Sequence, residues 1–259
     1  MQSTTINNTD NIENKLSVLI HQDGLSFLCY NENGILEQWD YSFKYDSNPV
    51  EILEEIQTVF LENSYLKDQD FQQVAIVYHH PIFSGVPATL FNEEQASSYL
   101  KYNNRLLETD VVSHDEPITA LDYQTIYIAY SNINNFFFDK YGDFEFYHYT
   151  TLALPQWQQK YQDHSNAVIV DVKPSHVYIT IFNDGKLVLH NIYRHDAIED
   201  ILYYTLFSSQ HNDLQQDQMN LFLYQSNPSK KLYDLLYTYV KEVNVVVGAP
   251  QIIEQFLCV

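Results

Sequence analysis

Ala167–Arg194 reads AVIVDVKPSHVYITIFNDGKLVLHNIYR. Ala167–Val172 is a nearly unbroken apolar run, the pattern of a strand buried on both faces. Lys173–Ser175 interrupts it as a turn, and His176–Phe182 resumes with alternating character. Asn183-Asp184-Gly185 is a second turn, because Asp-Gly supplies the positive φ that a tight hairpin requires. Lys186–Tyr193 is a third strand. Three strands and two short turns predict an antiparallel meander. Leu16–Phe43 repeats the design with strands Leu16–Ile20, Leu25–Tyr30 and Ile35–Phe43, and turns at Gln22-Asp23-Gly24 and Asn31–Gly34. The second turns correspond most closely, Tyr30-Asn31-Glu32-Asn33-Gly34 beside Phe182-Asn183-Asp184-Gly185.

Similar elements follow each meander. After the first, Asn48 and Pro49 open a helix over Val50–Tyr65 with Ile52, Ile56, Val59 and Phe60 at helical spacing, and Gln72–His79 is a buried strand. After the second, Asp196 caps a helix to about Ser208, followed by strand Met219–Tyr224, helix Ser229–Val240, strand Val243–Val247 and a short helix Gln251–Leu257. The intervening stretch reads as an apolar loop Pro81–Phe91, a short helix capped by Asn92, an irregular polar segment Leu106–Thr119, strand Thr125–Ser131 and helix Asn132–Tyr141. Strand Asp143–Tyr149 and a helix opened by Pro155 and running to about Tyr161 complete it. The expected organisation is a disordered polar N-terminus over 1–14, a first lobe over 15–164 and a second over 165–259. Each lobe carries a mixed sheet that begins with a three-stranded meander.

Composition narrows the function classes. Thirteen Lys and Arg stand against 34 Asp and Glu, a net charge of −21, which repels phosphate backbones and anionic lipid heads. Nucleic acid and membrane insertion are therefore not expected as partners. The polar N-terminus lacks the apolar core of a signal peptide, and no apolar run approaches the roughly 20 residues of a membrane span. Cys29 and Cys258 suggest neither a disulfide framework nor a zinc site. A reduced, cytoplasmic protein is expected. The six glycines lie at least ten residues apart, which excludes GxGxxG and GxxxxGK[ST] phosphate loops. The 22 Tyr and 15 Phe suit core packing or a partner surface.

The repeated order of elements resembles the actin/Hsp70/hexokinase superfamily, whose two lobes each carry a three-stranded meander followed by helix–strand–helix. Within it the chain looks most like the actin-like proteins of type IV pilus and type II secretion assembly, and like a bacterial family of unknown function that shares their fold. The resemblance spans roughly residues 15–250 and rests on KLSVLIHQDGLSFLCYNENG, VAIVYHHPIFSGVPATLF and NAVIVDVKPSHVYITIFNDG. It implies an α/β, duplicated, ribonuclease H-like two-lobed fold.

The resemblance also implies where a nucleotide would bind. Active members grip phosphates with two hairpin turns of the form Asp-x-Gly-[Ser/Thr/Gly]. Glycine lets backbone N–H groups approach the phosphate, and the Asp holds magnesium through water. Aligned on the strands, the first turn is His21-Gln22-Asp23-Gly24, with His21 in place of the Asp and Asp23 in place of the Gly. The second keeps Asp171 but places Lys173 at the glycine position, followed by Pro174 and Ser175. Proline has no N–H to give. The adenosine turn, normally Gly-Gly after a strand, falls on Gln225-Ser226. All three turns depart from the pattern.

Asp23 and Asp171 remain weak candidates for a cation, against simple turn hydrogen bonding. Lys173 can meet an anion or be solvated. The pair His79-His80 points to opposite faces of a strand and suits structural roles better than a shared metal. Cys29 lacks a placed base and reads as core. No GxSxG elbow occurs, and no catalytic residue is assigned. Pro81–Phe91, with Ile82, Phe83, Val86, Leu90 and Phe91, is either a binding loop or a covered connection. Tyr233, Tyr237 and Tyr239 on Ser229–Val240 are either a docking face or packing. The expected function is a non-catalytic, pseudo-ATPase scaffold or adaptor without cofactor, acting on an unidentified protein partner, a second copy of the chain included. The alternative is a weak ATP- or phosphometabolite-binding protein of kinase or ATPase type using Mg.

Overall fold

The computed structural model describes residues 13–43, 47–225 and 228–246. In chain order the elements are β1 (Lys15–His21), β2 (Gly24–Asn31), β3 (Gly34–Ser42), α1 (Pro49–Glu62), α2 (Ser64–Asp68), β4 (Gln73–His79), β5 (Phe83–Pro87), α3 (Ala96–Asn103), β6 (Val111–His114) and β7 (Tyr123–Ala129). They continue with α4 (Ser131–Tyr141), β8 (Glu145–His148), α5 (Tyr149–Tyr161), β9 (Asn166–Val172), β10 (His176–Asn183), β11 (Lys186–Arg194), α6 (Ile198–His211), β12 (Asn220–Gln225), α7 (Lys230–Tyr239) and β13 (Glu242–Val246).

Two five-stranded sheets share one order. The first runs β3-β2-β1-β4-β8 and the second β11-β10-β9-β12-β13. Each begins with the antiparallel meander read from the sequence, and in the second sheet β9, β12 and β13 are parallel. A third sheet, β5-β7-β6, is antiparallel. By compactness the chain divides into one unit of residues up to Val77 with Asn132–Phe146, and another of Tyr78–Ser131 with Tyr147 onward. The last strand of the first large sheet ends at His148, and the second large sheet begins at Asn166. Residues 78–131 and 147–164 fall within the second unit.

In the first unit the apolar stripe of α1 buries Ile52, Ile56, Val59 and Phe60. Phe60 meets Phe27 and Phe137 edge-on, with centroids 5.9 Å from each. Asn48 caps α1 in a reciprocal box with Glu51. The helix expected to run to Tyr65 stops at Glu62, because Asn63 turns out of helical geometry and caps α2. In the second unit Val168, Val170, Ile179 and Leu221 of the sheet pack with Ile201 of α6 and Leu232 and Leu236 of α7.

Four sequence expectations give way to tertiary structure. Pro81–Phe91 is not a loop throughout: Phe83–Pro87 pairs with β7, and Gly85 is required there because a Cβ would strike the Tyr123 ring. Leu106–Thr119 contains β6. Pro155 lies inside α5, which starts at Tyr149 with His148 as its cap. Asp196 does not cap α6, since it is Asp200 that accepts from the Asp196 and Ala197 N–H groups. The helix Gln251–Leu257 and Cys258 lie outside the described residues, as do residues 1–12. Asn14, at the end of that polar terminus, exchanges hydrogen bonds with Gln72.

The turns also differ in kind. Asp184 (φ 48°) and Gly185 (φ 73°) form a two-residue turn in left-handed geometry, whereas in the first meander only Gly34 (φ 120°) has positive φ. Gly24 does not have the positive φ expected of it. It is small because the Tyr41 carbonyl oxygen would lie 2.5 Å from an added Cβ.

Candidate functional site

The second meander's first turn is built from Asp171, in the penultimate position of β9, and Lys173 just beyond the strand. Residues two apart on an extended chain share a face. Asp171 is buried, and its Oδ1 lies 3.0 Å from Lys173 Nζ. Its Oδ2 accepts from the Tyr149 hydroxyl at 3.1 Å. The Lys173 side chain is only 15% exposed and its ammonium lies 5.9 Å from the Tyr149 ring centre. Lys173 is therefore not the solvated turn lysine that was one of its two expected readings. Tyr149 also stacks on His79, with centroids 3.7 Å apart and 12° between planes. Burial and the Asp171 charge both raise the Tyr149 pKa well above its ordinary value, so it stays a protonated donor. Their spacing along the strand puts Asp171 and Lys173 on one face, but the pairing itself was not read from the sequence. The Tyr149 and His79 contacts are long-range and had no local signal.

Pro174 is exposed, Ser175 is half-buried, and its hydroxyl lies 2.9 Å from His176 Nδ1. The Lys173 N–H donates to the His176 carbonyl at 2.8 Å, and the His195 ring bonds the Lys173 carbonyl at 2.8 Å. Strand pairing sets Asp171 beside Tyr224 and Val172 beside Gln225, so Gln225 and the Asp171 turn occupy neighbouring strand ends. The Gln225 side-chain oxygen accepts from the Ser229 N–H at 2.5 Å, at the residue that caps α7. Ser226 lies outside the described residues.

The first turn belongs to the other unit. Its backbone is tied to the chain after β3: the Phe43 N–H donates to the Asp23 carbonyl at 2.8 Å and the Ser47 N–H to the Gln22 carbonyl at 2.7 Å. His21, Gln22 and Asp23 are half-buried, and Gly24 is buried. Among the described residues no group of three or more His, Cys, Asp or Glu is placed to hold a metal ion. Cys29 is fully buried, and burial pushes its thiol up to about 12, so it is not a nucleophile at neutral pH.

A second polar cluster, which the sequence did not reveal, centres on buried Asp115. Its carboxylate accepts from the Tyr127 hydroxyl at 2.8 Å, the His148 N–H at 2.9 Å and the Thr151 hydroxyl at 2.6 Å. Burial raises its pKa, and these donors pull the other way. The cluster seats a negative charge at the N-terminus of α5, where the helix dipole favours it. His80 is buried, with Nδ1 accepting from the Ile82 N–H and Nε2 donating to the Ile128 carbonyl. It lies just beyond the end of β4, not in the strand as expected. His190 bonds the Thr150 and Thr180 hydroxyls.

The fold is similar to solved structures that carry a name. A Bacteroides thetaiotaomicron protein described as having an actin-like ATPase fold and unknown function aligns over 99% of this chain and 100% of its own, with a TM-score of 0.86 at 22% identity. A chain of a PilM–PilN type IV pilus biogenesis complex aligns over 90% of this chain and 88% of its own, with a TM-score of 0.52 at 9% identity. No curated protein sequence matches. The actin-like fold expected from the paired meanders is thus the fold of this protein. Residues 3–243 match the family described as "Protein of unknown function (DUF3822)", and the chain belongs to that family.

Proposed function

We propose that the protein is a pseudo-ATPase: an actin-like scaffold or adaptor of the cytoplasm that works through protein contacts. The observation that carries this reading is the Asp171–Lys173 pair, 3.0 Å apart and largely withdrawn from solvent. In a nucleotide-binding turn this carboxylate would face magnesium. Here a covalently tethered ammonium already supplies the opposite charge. The next residue, Pro174, has no N–H for a phosphate, and the Lys173 N–H is used by His176. Gln225, at the adenosine turn, spends its side-chain oxygen on its own chain. These residues do not fit a magnesium–phosphate group. The related fold in a PilM–PilN complex is an instance of this architecture in a protein assembly.

Calorimetry and thermal shift with ATP and magnesium test the reading. No heat and no change in Tm are expected. Micromolar binding that disappears in Asp171→Asn would overturn it in favour of the nucleotide-binding alternative.

A further inference from the structure

We propose that the exposed face of α6 and the groove beside it dock an apolar segment rich in Lys or Arg from another protein. The proposal rests on the scaffold reading and deepens it by giving the surface and the partner's chemistry. Glu199, Tyr203, Phe207 and His211 recur every fourth residue and form one exposed stripe of α6. The helix buries Ile201, Thr205, Ser208 and Ser209, so the aromatic stripe faces away from the core. Tyr203 is 59% exposed and Phe207 48%. The rings are ordered against one another: Tyr203 stacks on Phe207 at 5.7 Å and 19°, and Phe207 on His211 at 5.9 Å and 11°. Such a ladder loses little side-chain freedom when a partner covers it. A groove of about 390 Å³ lies along the same helix, lined by Leu206, Gln210, Leu214 and Asp217 among others. Its lining is mostly amide and carboxylate, with Leu206 and Leu214 as the apolar members.

Charge selects the occupant. From His195 to Ser229 there is no Lys or Arg, while Asp196, Glu199, Asp200, Asp213 and Asp217 are acidic. Asp200 is engaged with the backbone at the start of α6 and Asp196 with Arg194. Glu199, Asp213 and Asp217 are the other carboxylates of this stretch; the next cations, Lys230 and Lys231, open α7. Exposed aromatic faces attract guanidinium and ammonium groups, and guanidinium also pairs with the carboxylates. A second copy of this chain is disfavoured because it brings a net charge of −21 to an acidic surface.

The test is fluorescence anisotropy with a labelled amphipathic peptide, leucine on one helical face and arginine on the other, at about physiological salt so that diffuse attraction is screened. The wild-type chain is expected to bind. Tyr203→Ser/Phe207→Ser should weaken binding about tenfold or more, while Tyr102→Ser, at an aromatic 89% exposed elsewhere, should leave it within about twofold. The same peptide with glutamate for arginine should not bind. Equal affinity of both variants, or binding of the glutamate peptide, overturns the proposal. So does a wild-type dimer in sedimentation that Tyr203→Ser/Phe207→Ser dissolves. ATP titration of the same samples separates the two readings. Absent peptide binding without ATP binding removes only this surface, whereas Asp171-dependent ATP binding removes the scaffold reading itself.

Discussion

Lys173 supplies the charge that sits against a buried carboxylate. A carboxylate as deeply buried as Asp171 needs a counter-charge, and removing one partner of a buried pair costs about 3–5 kcal/mol because the other charge is stranded. Lys173→Met should therefore lower stability to urea by that order. Asp171→Asn/Lys173→Met should recover much of the loss, since neither charge then remains and Tyr149 can still donate to the Asn side-chain oxygen. A loss under about 1 kcal/mol for Lys173→Met would mean that water serves Asp171 as well as the ammonium does. Two glycines give a second contrast at this scale. Gly24→Ala drives a methyl into the Tyr41 carbonyl and should cost about 1–3 kcal/mol as overpacking. Gly185→Ala has open space but keeps φ at +73° and should cost about 1–2 kcal/mol from the left-handed backbone. Thermal melts of the two variants check the order.

Among the elements, α5 depends most on distant residues. Its cap, His148, accepts the Thr150 N–H on Nδ1, and Asp115 then accepts the His148 N–H. Asp115→Ala leaves the Tyr127 hydroxyl, the His148 N–H and the Thr151 hydroxyl without this acceptor. It should cost about 3 kcal/mol or more, with fraying of the first turn of α5 visible as faster amide exchange at Tyr149–Thr151. Asp115→Asn, which keeps one acceptor oxygen, should fall between Ala and wild type; equal stability of all three would discount the cluster. This element also marks the limit of sequence reading. The meanders were legible because buried runs such as Val168–Val170 and turns such as Asp184-Gly185 are local signals. The start of α5 was placed six residues late, at Pro155, because its true cap is a histidine and an aspartate 33 positions apart. β5 and β6 were missed because Gly85 and Pro87 hide one, and the other is only four residues long. In the candidate site, the departures at Lys173 and Pro174 could be read directly. That Lys173 neutralises Asp171, and that Tyr149 completes the set, needed the folded chain.

At the scale of the whole molecule, acid sets two effects against each other. The net charge of −21 repels itself, and protonation relieves it. Buried histidines act in the other direction. Burial lowers His80 to about 4 and His190 to about 3, and lowers His148 well below its ordinary value, with the positive charges of His80 and His190 adding to the effect. When the chain unfolds, each regains a pKa near 6.5. The unfolded state then binds more protons over that interval. The contribution is fully present above about pH 6.5 and is lost as pH falls toward about 4. Asp115, raised by burial, takes up a proton in the folded state first and so opposes the loss, but it is one group against three. Added salt screens the surface repulsion far more than the buried rings. The unfolding free energy from urea titrations in about 0.5 M NaCl should therefore fall steadily from about pH 7.5 to about pH 5, by on the order of a few kcal/mol, and the midpoints with it. All four groups lie in the unit that contains β9–β13, so amides of β7, β9 and β10 should lose protection before those of β1 and β2. His190→Asn, which keeps hydrogen-bonding capacity toward Thr150 and Thr180 but does not titrate, should flatten the slope. A midpoint that stays level down to about pH 5 in high salt would show that the rings admit protons without opening the fold.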